Sequence, residues 1–165
     1  MTKARTNAYG TTTLGSSTLT LGSTTTSITG MELVAPKEFS TVTTSVPTAT
    51  TNYDLKTQGI YYSTGNTTSN ITINFRGDAS TSAASLLGVG DSWTASFLIT
   101  NSTTAYVTSV VQVDGSTSTV TTKWSGGTAP SAGNASAVDA YSFTIIKTAA
   151  TPAYTVLAAG PVKYA

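Results

Sequence analysis

The sequence contains no cysteine and no histidine. Without cysteine there is no disulfide framework and no thiolate metal site. Without histidine the chain lacks the commonest general base and the commonest metal ligand, and a Ser-His-Asp triad is excluded. Charge is scarce as well. Eight Lys and Arg against seven Asp and Glu make 9% of the chain and a net charge of +1, where about a quarter is usual. There is neither a basic field to attract nucleic acid nor an acidic tail. Apolar runs are only a few residues long, so no segment reads as a membrane-spanning helix. The opening MTKARTNAYG has no apolar stretch of the kind a secretory signal needs.

Hydroxyls take the place of charge. Thr and Ser make up about a third of the 165 residues, far above average usage. Thr is stiff at χ1 and fits pleated strands. Ser, Gly and Asn serve turns. This is the composition of an all-β protein, and about 110 residues of it are enough to bury a core.

Residues 11–30, TTTLGSSTLTLGSTTTSITG, carry no charge, aromatic ring or proline. Thr13-Leu14-Gly15-Ser16 recurs as Thr20-Leu21-Gly22-Ser23, but poor helix formers and absent flanking charges exclude a coiled coil. Alternation in Thr18-Leu19-Thr20-Leu21 suits a short strand. Fixing a residue's backbone costs about 1–2 kcal/mol. Leu14, Leu19, Leu21 and Ile28 return only about 1.5–3 kcal/mol each on full burial. Four such gains do not order twenty residues, so the stretch is expected to borrow order by pairing with the sheet edge of a partner. Leu14, Leu19, Leu21, Ile28, Met31 and Leu33 are the expected docking residues. Residues 1–50 read as an extended docking arm and linker, with 40–52 either linker or edge strand, because Pro47 limits any strand there.

Residues 51–165 read as the body. Expected strands are Gly59–Ser63, Asn70–Phe75, Asp91–Thr100, Ala105–Val113, Ser118–Trp124, Tyr141–Lys147 and Tyr154–Leu157. Gly65-Asn66 and Asp114-Gly115 read as turns, the latter closing a hairpin whose second strand pairs back. Ile71, Ile73 and Phe75 point inward with Thr72 and Asn74 outward; Trp93, Ala95, Phe97 and Ile99 form a second inward set. STSAASLLGVG at 80–90 is the one candidate helix, capped by Ser80 or Thr81 and ended by Gly88 or Gly90. Short strands with a turn about every ten residues predict an all-β fold. The expected architecture is a single β-sandwich, jelly-roll or Ig-like, with an extended N-terminal arm and at most one short helix.

Few motifs carry chemistry. Arg76-Gly77-Asp78 spells an integrin tripeptide and reads more simply as a turn after a strand. The sequons at Asn66, Asn70, Asn101 and Asn134 are what a Ser/Thr-rich chain produces by chance. The carboxylates are dispersed, with no spacing that predicts a glycosidase pair or a calcium loop. Asp114 is assigned to its turn, and Asp91 and Asp139 to nearby backbone amides. No catalytic residues, no metal site and no cofactor are expected. Among the aromatic residues, Tyr61, Tyr62, Tyr106 and Trp124 could meet a ligand or plug the core. A place in the core or in a subunit contact is the expectation for most of them, with Tyr62 and Trp124 as the candidates for a surface ligand contact, such as a host glycan.

Three segments carry a resemblance. INFRGDASTSAASLLGVGDSWTASFLITNSTTAYVTSVVQVDGS, KWSGGTAPSAGNASAVDAYSFTIIKT and YTVLAAGPVKYA resemble a domain recurrent in virion structural proteins of tailed phages, notably those infecting marine cyanobacteria. The residues that carry it are Asn74-Phe75-Arg76-Gly77, Val113-Asp114-Gly115, the loop Lys123-Trp124-Ser125-Gly126-Gly127-Thr128-Ala129-Pro130, Gly133-Asn134-Ala135-Ser136 and the ending Tyr154-Thr155-Val156-Leu157. It covers about residues 58–165. It implies a non-enzymatic virion part, made in the host cytoplasm and exposed on the particle. The expected role is capsid decoration or head fibre, with a tail-fibre or receptor-binding tip as alternative. Expected partners are sibling chains, as a homotrimer, with capsid or other virion proteins and host surface glycan; neither nucleic acid nor membrane insertion is expected.

Overall fold

The computed structural model describes residues 38–165. The docking residues Leu14, Leu19, Leu21, Ile28, Met31 and Leu33 lie outside the described part. Nine strands and one short helix follow in order: β1 (Ser40–Thr43), β2 (Thr50–Asp54), β3 (Ile60–Asn66), β4 (Ile71–Arg76), α1 (Ala83–Leu86), β5 (Ser92–Asn101), β6 (Thr108–Val113), β7 (Val120–Trp124), β8 (Ala137–Ala149) and β9 (Ala153–Tyr164). Six strands form one sheet in the order β1-β3-β5-β8-β9-β7, and three form the other in the order β2-β4-β6.

The all-β, two-sheet expectation holds, but the pairing is not that of a jelly roll or an Ig domain. The three-stranded sheet is wholly parallel. In the larger sheet β1/β3, β3/β5 and β7/β9 are parallel, and only β5/β8 and β8/β9 are antiparallel. The reason is the path of the chain. From β1 to β7 each strand lies in the sheet opposite to its predecessor. Within β1–β6, neighbours in a sheet are therefore two strands apart in sequence and parallel, whereas β8 pairs antiparallel on both sides. Alternating Ile, Phe and Thr reveals strands but not which strand each one meets.

The two sheets are joined by aromatic side chains. Phe75 of β4 meets Phe143 of β8 edge-on at 5.1 Å, and Tyr53 of β2 meets Tyr61 of β3 at 6.4 Å. Two buried tyrosines reach across in opposite senses. Tyr53 donates its hydroxyl to the Ser96 carbonyl at 3.3 Å, while the Tyr141 hydroxyl accepts from the Thr108 amide at 3.1 Å. Burial pushes the Tyr53 phenol well above its ordinary range and that of Tyr141 up to about 12. The expected inward sets are buried at Ile71, Ile73, Phe75, Ala95, Phe97 and Ile99, with Trp93 partly buried against them. Asn74 lies on the outward side with Thr72, as expected, yet is itself buried, donating to Asn52 Oδ1 at 2.8 Å and accepting from the Gly115 amide at 2.8 Å.

Several local expectations need correction. Gly65-Asn66 lies inside β3, at an irregularity of its pairing with β5, and the chain turns after it. The Asp114-Gly115 turn does form, with φ of 51° and 78° and a single bridge between Val113 and Ser116. The strand after it does not pair back: β7 leaves for the far edge of the larger sheet, beside β9. The turn is tied to β4 instead, through the Asp114 amide on the Phe75 carbonyl and the Gly115 amide on Asn74.

The helix is capped by Ser82, whose hydroxyl accepts from the Ser85 amide, and it ends at Leu87 before either glycine. One turn has little stability of its own, and two distant charges hold it. The Asp114 carboxylate accepts from the Ala83 and Ala84 amides at 2.7 and 3.0 Å. At the other end the buried Lys147 ammonium donates to the Ala84 and Leu87 carbonyls at 2.7 and 2.6 Å. Both signs match the helix dipole.

Candidate functional site

The two outer faces differ sharply. On the three-stranded sheet, cross-strand neighbours form polar ladders. Asn52, Asn74 and Gln112 lie in one row, and Asp54 and Arg76 in the next, paired at 2.6 Å. This face is solvated by design of its residues, with amides and charges where strand pairing brings them together.

The outer face of the six-stranded sheet is nearly free of charge. Pairing registers place Val42, Tyr62, Leu98, Ala140 and Val162 in one row across β1, β3, β5, β8 and β9. A second row holds Ser40, Ile60, Ser96, Ser142 and Ala159, and a third holds Asn66, Thr100, Val138 and Tyr164. Among these and the other outward positions of the six strands, only Lys123 on the edge strand β7 is charged. Of the large apolar residues exposed in the described part, Val42, Leu157, Val162 and Tyr164 share this face.

Small residues open a groove in it. Ser96, Ala140, Ser142 and Ala159 lie between Ile60, Tyr62, Leu98, Val138, Val162 and Tyr164, around a space of about 570 Å³. A bulge in β9 makes this possible. Tyr154, Val156 and Ala158 point into the core, and strict alternation would turn Val162 and Tyr164 inward as well. The irregularity between Ala140 and Ser142 inserts a residue at Gly160-Pro161 and reverses the parity. Gly160 is required there: its φ is 122°, and a Cβ would stand 2.7 Å from the Ala140 carbonyl oxygen.

Of the two expected ligand contacts, Tyr62 stands in the central row of this face. Trp124 does not join it. It pairs with the buried Ala158, packs against the core and meets Phe143 edge-on at 6.1 Å. The two lie on strands four spacings apart, about 19 Å, and on opposite faces of the sheet. Tyr61 also turns inward, 5.4 Å from Phe97.

The remaining polar groups have structural partners. Arg76-Gly77-Asp78 is built into the body: Arg76 pairs with Asp54, and Asp78 with Lys56 at 2.6 Å. The Lys56 ammonium, with the Ser80 amide and neighbouring hydroxyls, holds the Asp78 carboxyl well below the usual carboxylate range. Asp91 accepts from the Gly88 amide at 2.7 Å, as its position suggested. Asp139 lies within β8, fully buried, and accepts from the Asn134 amide, the Asn134 side chain and the Asn101 side chain at 2.8, 2.7 and 3.0 Å. Among the described residues no group of three or more Asp or Glu could hold a metal ion. Comparisons with family models, curated proteins and solved structures found no match to this chain.

The outer face was missed by sequence reasoning because its apolar residues are scattered over separate strands, from Val42 of β1 to Tyr164 of β9. Register alone aligns them. The single local signal was Tyr62, an aromatic ring beside an inward-facing one.

Proposed function

We propose that this chain is a structural protein of a phage particle, a capsid-surface decoration or head-fibre protein. It assembles as a homotrimer, docks through the residues that precede β1 and carries the two-sheet body outward; the boundary expected at residue 50 moves forward, because β1 and β2 are strands of the body. The observation that supports this best is the contrast between the two outer faces. A binding module that meets other protein surfaces needs a flat apolar area, and exposed patches of that kind mark interaction sites. The hydroxyl-rich, cysteine-free composition and the resemblance over residues 58–165 point the same way. The experiment is deletion of residues 1–35. The truncated body is expected to remain soluble and folded while losing attachment to particles. Attachment at full occupancy by the truncated protein would remove the arm from the proposal.

A receptor-binding tip remains the second reading, and Tyr62 is what favours it. Its ring borders a groove with serine hydroxyls on the floor, a surface a sugar ring can stack on and bond to. Glycan binding lost in Tyr62→Ala but kept in Trp124→Ala is expected on that reading. Absence of binding to any host surface glycan would exclude it.

A further inference from the structure

We infer that the outer face of the six-stranded sheet is where sibling copies of this chain meet. The inference deepens the assembly part of the reading above and rests on it. Three observations carry it.

The first is size. Six strands spaced by about 4.8 Å span about 24 Å, and the ten residues of β5 at about 3.4 Å run about 34 Å. The product is on the order of 800 Å², the area each partner buries in a stable interface. The second is charge. The face offers one ammonium, Lys123, at its edge. A charged partner would lose hydration there and find no counter-charge. A second copy brings the same apolar rows and the same hydroxyls, and its one ammonium, Lys123, stands on the edge strand β7, away from those rows.

The third is distribution. Val42, Leu157, Val162 and Tyr164 are 65%, 49%, 53% and 59% exposed, yet they share one face with Tyr62 and Leu98. Singly exposed apolar residues need no explanation; a cross-strand row of them does. The bulge at Gly160-Pro161 sharpens the point. It costs the last strand its regular pairing and turns Val162 and Tyr164 out of the core side. Without a partner that arrangement forfeits burial; against a sibling face it gains it.

The test uses the full chain and two outward substitutions, Leu98→Lys and Val162→Lys, with Val110→Lys as a control. Val110 is exposed on an edge strand of the other sheet. Mass is read by sedimentation equilibrium at micromolar concentration, and the fold by circular dichroism. The full chain and Val110→Lys are expected to sediment as a homo-oligomer. Leu98→Lys and Val162→Lys are expected to sediment as folded monomers, with association weakened at least tenfold. Should Leu98→Lys fail to fold, Val162→Lys decides, because its side chain is more than half exposed and lies near the end of β9. A full chain that is monomeric, or an oligomer that survives Val162→Lys, overturns the inference. An oligomer that behaves as expected but never attaches to particles leaves the interface standing and defeats the virion reading instead.

Discussion

Tyr154 presents an unusual residue-level arrangement. Its ring is buried at 2% exposure, and its hydroxyl finds no hydrogen-bond partner among the described residues. A buried hydroxyl without a partner costs about 1–3 kcal/mol of desolvation. Tyr154→Phe is therefore expected to leave stability unchanged or raise it by up to about 1 kcal/mol in urea unfolding; a loss of more than that would show a partner. Tyr53 and Tyr141 are the opposite case, since their hydroxyls join the sheets. Both phenols hold their protons more tightly when folded than the unfolded value near 10. The stability this gives is complete below pH 10 and is lost as pH rises toward 12, by at most about 1.4 kcal/mol per pH unit for each group. Thermal unfolding measured across that range is expected to show the decline, and Tyr141→Phe to make it shallower. An unchanged slope in Tyr141→Phe would remove this residue from the alkaline transition.

Among the elements, α1 shows most clearly what can be read locally and what cannot. Its position, its brevity and a hydroxyl cap are legible in STSAASLLGVG, although the cap is Ser82 rather than Ser80 or Thr81. The charges that hold it are not. Asp114 and Lys147 lie some thirty and sixty residues away, and nothing near either one announces a helix end. Asp114 looked complete as a turn residue, since Asp-Gly explains itself. Asp114→Ala is expected to cost about 0.5–2 kcal/mol, in the range of a lost helix cap. Lys147→Met is expected to cost about 1–3 kcal/mol by leaving two buried carbonyls unpaired. Both clamp one turn of helix, so the double variant should lose less than the two single losses together, by at least about 0.5 kcal/mol. Full additivity in chemical denaturation would mean that the two contacts act on separate units. The strands follow the same division. Alternation in Ile71–Phe75 and Trp93–Ile99 placed the inward residues, while the assignment of β7 to β6 failed because a tight turn fixes direction only until the next contact wins.

At the scale of the whole molecule, the sequence spoke for class and composition, and only the registers spoke for surfaces. Parallel pairing was illegible because the chain crosses between sheets after nearly every strand, and each short strand looks the same whichever sheet receives it. The outer face was illegible for the same reason: Val42, Tyr62, Leu98, Ala140 and Val162 are spread over 120 residues and become one row only when five strands align. That face, nearly uncharged where the other sheet's outer face is polar, is what ties the fold to the proposed role as an assembled surface component. The most direct measurement is a reconstruction of the intact particle at a resolution that traces strands. The account predicts this chain on the capsid surface, bodies outward, with the six-stranded sheets of sibling copies facing one another. Density for the chain at the tail tip, or particles that lack it altogether, would contradict it.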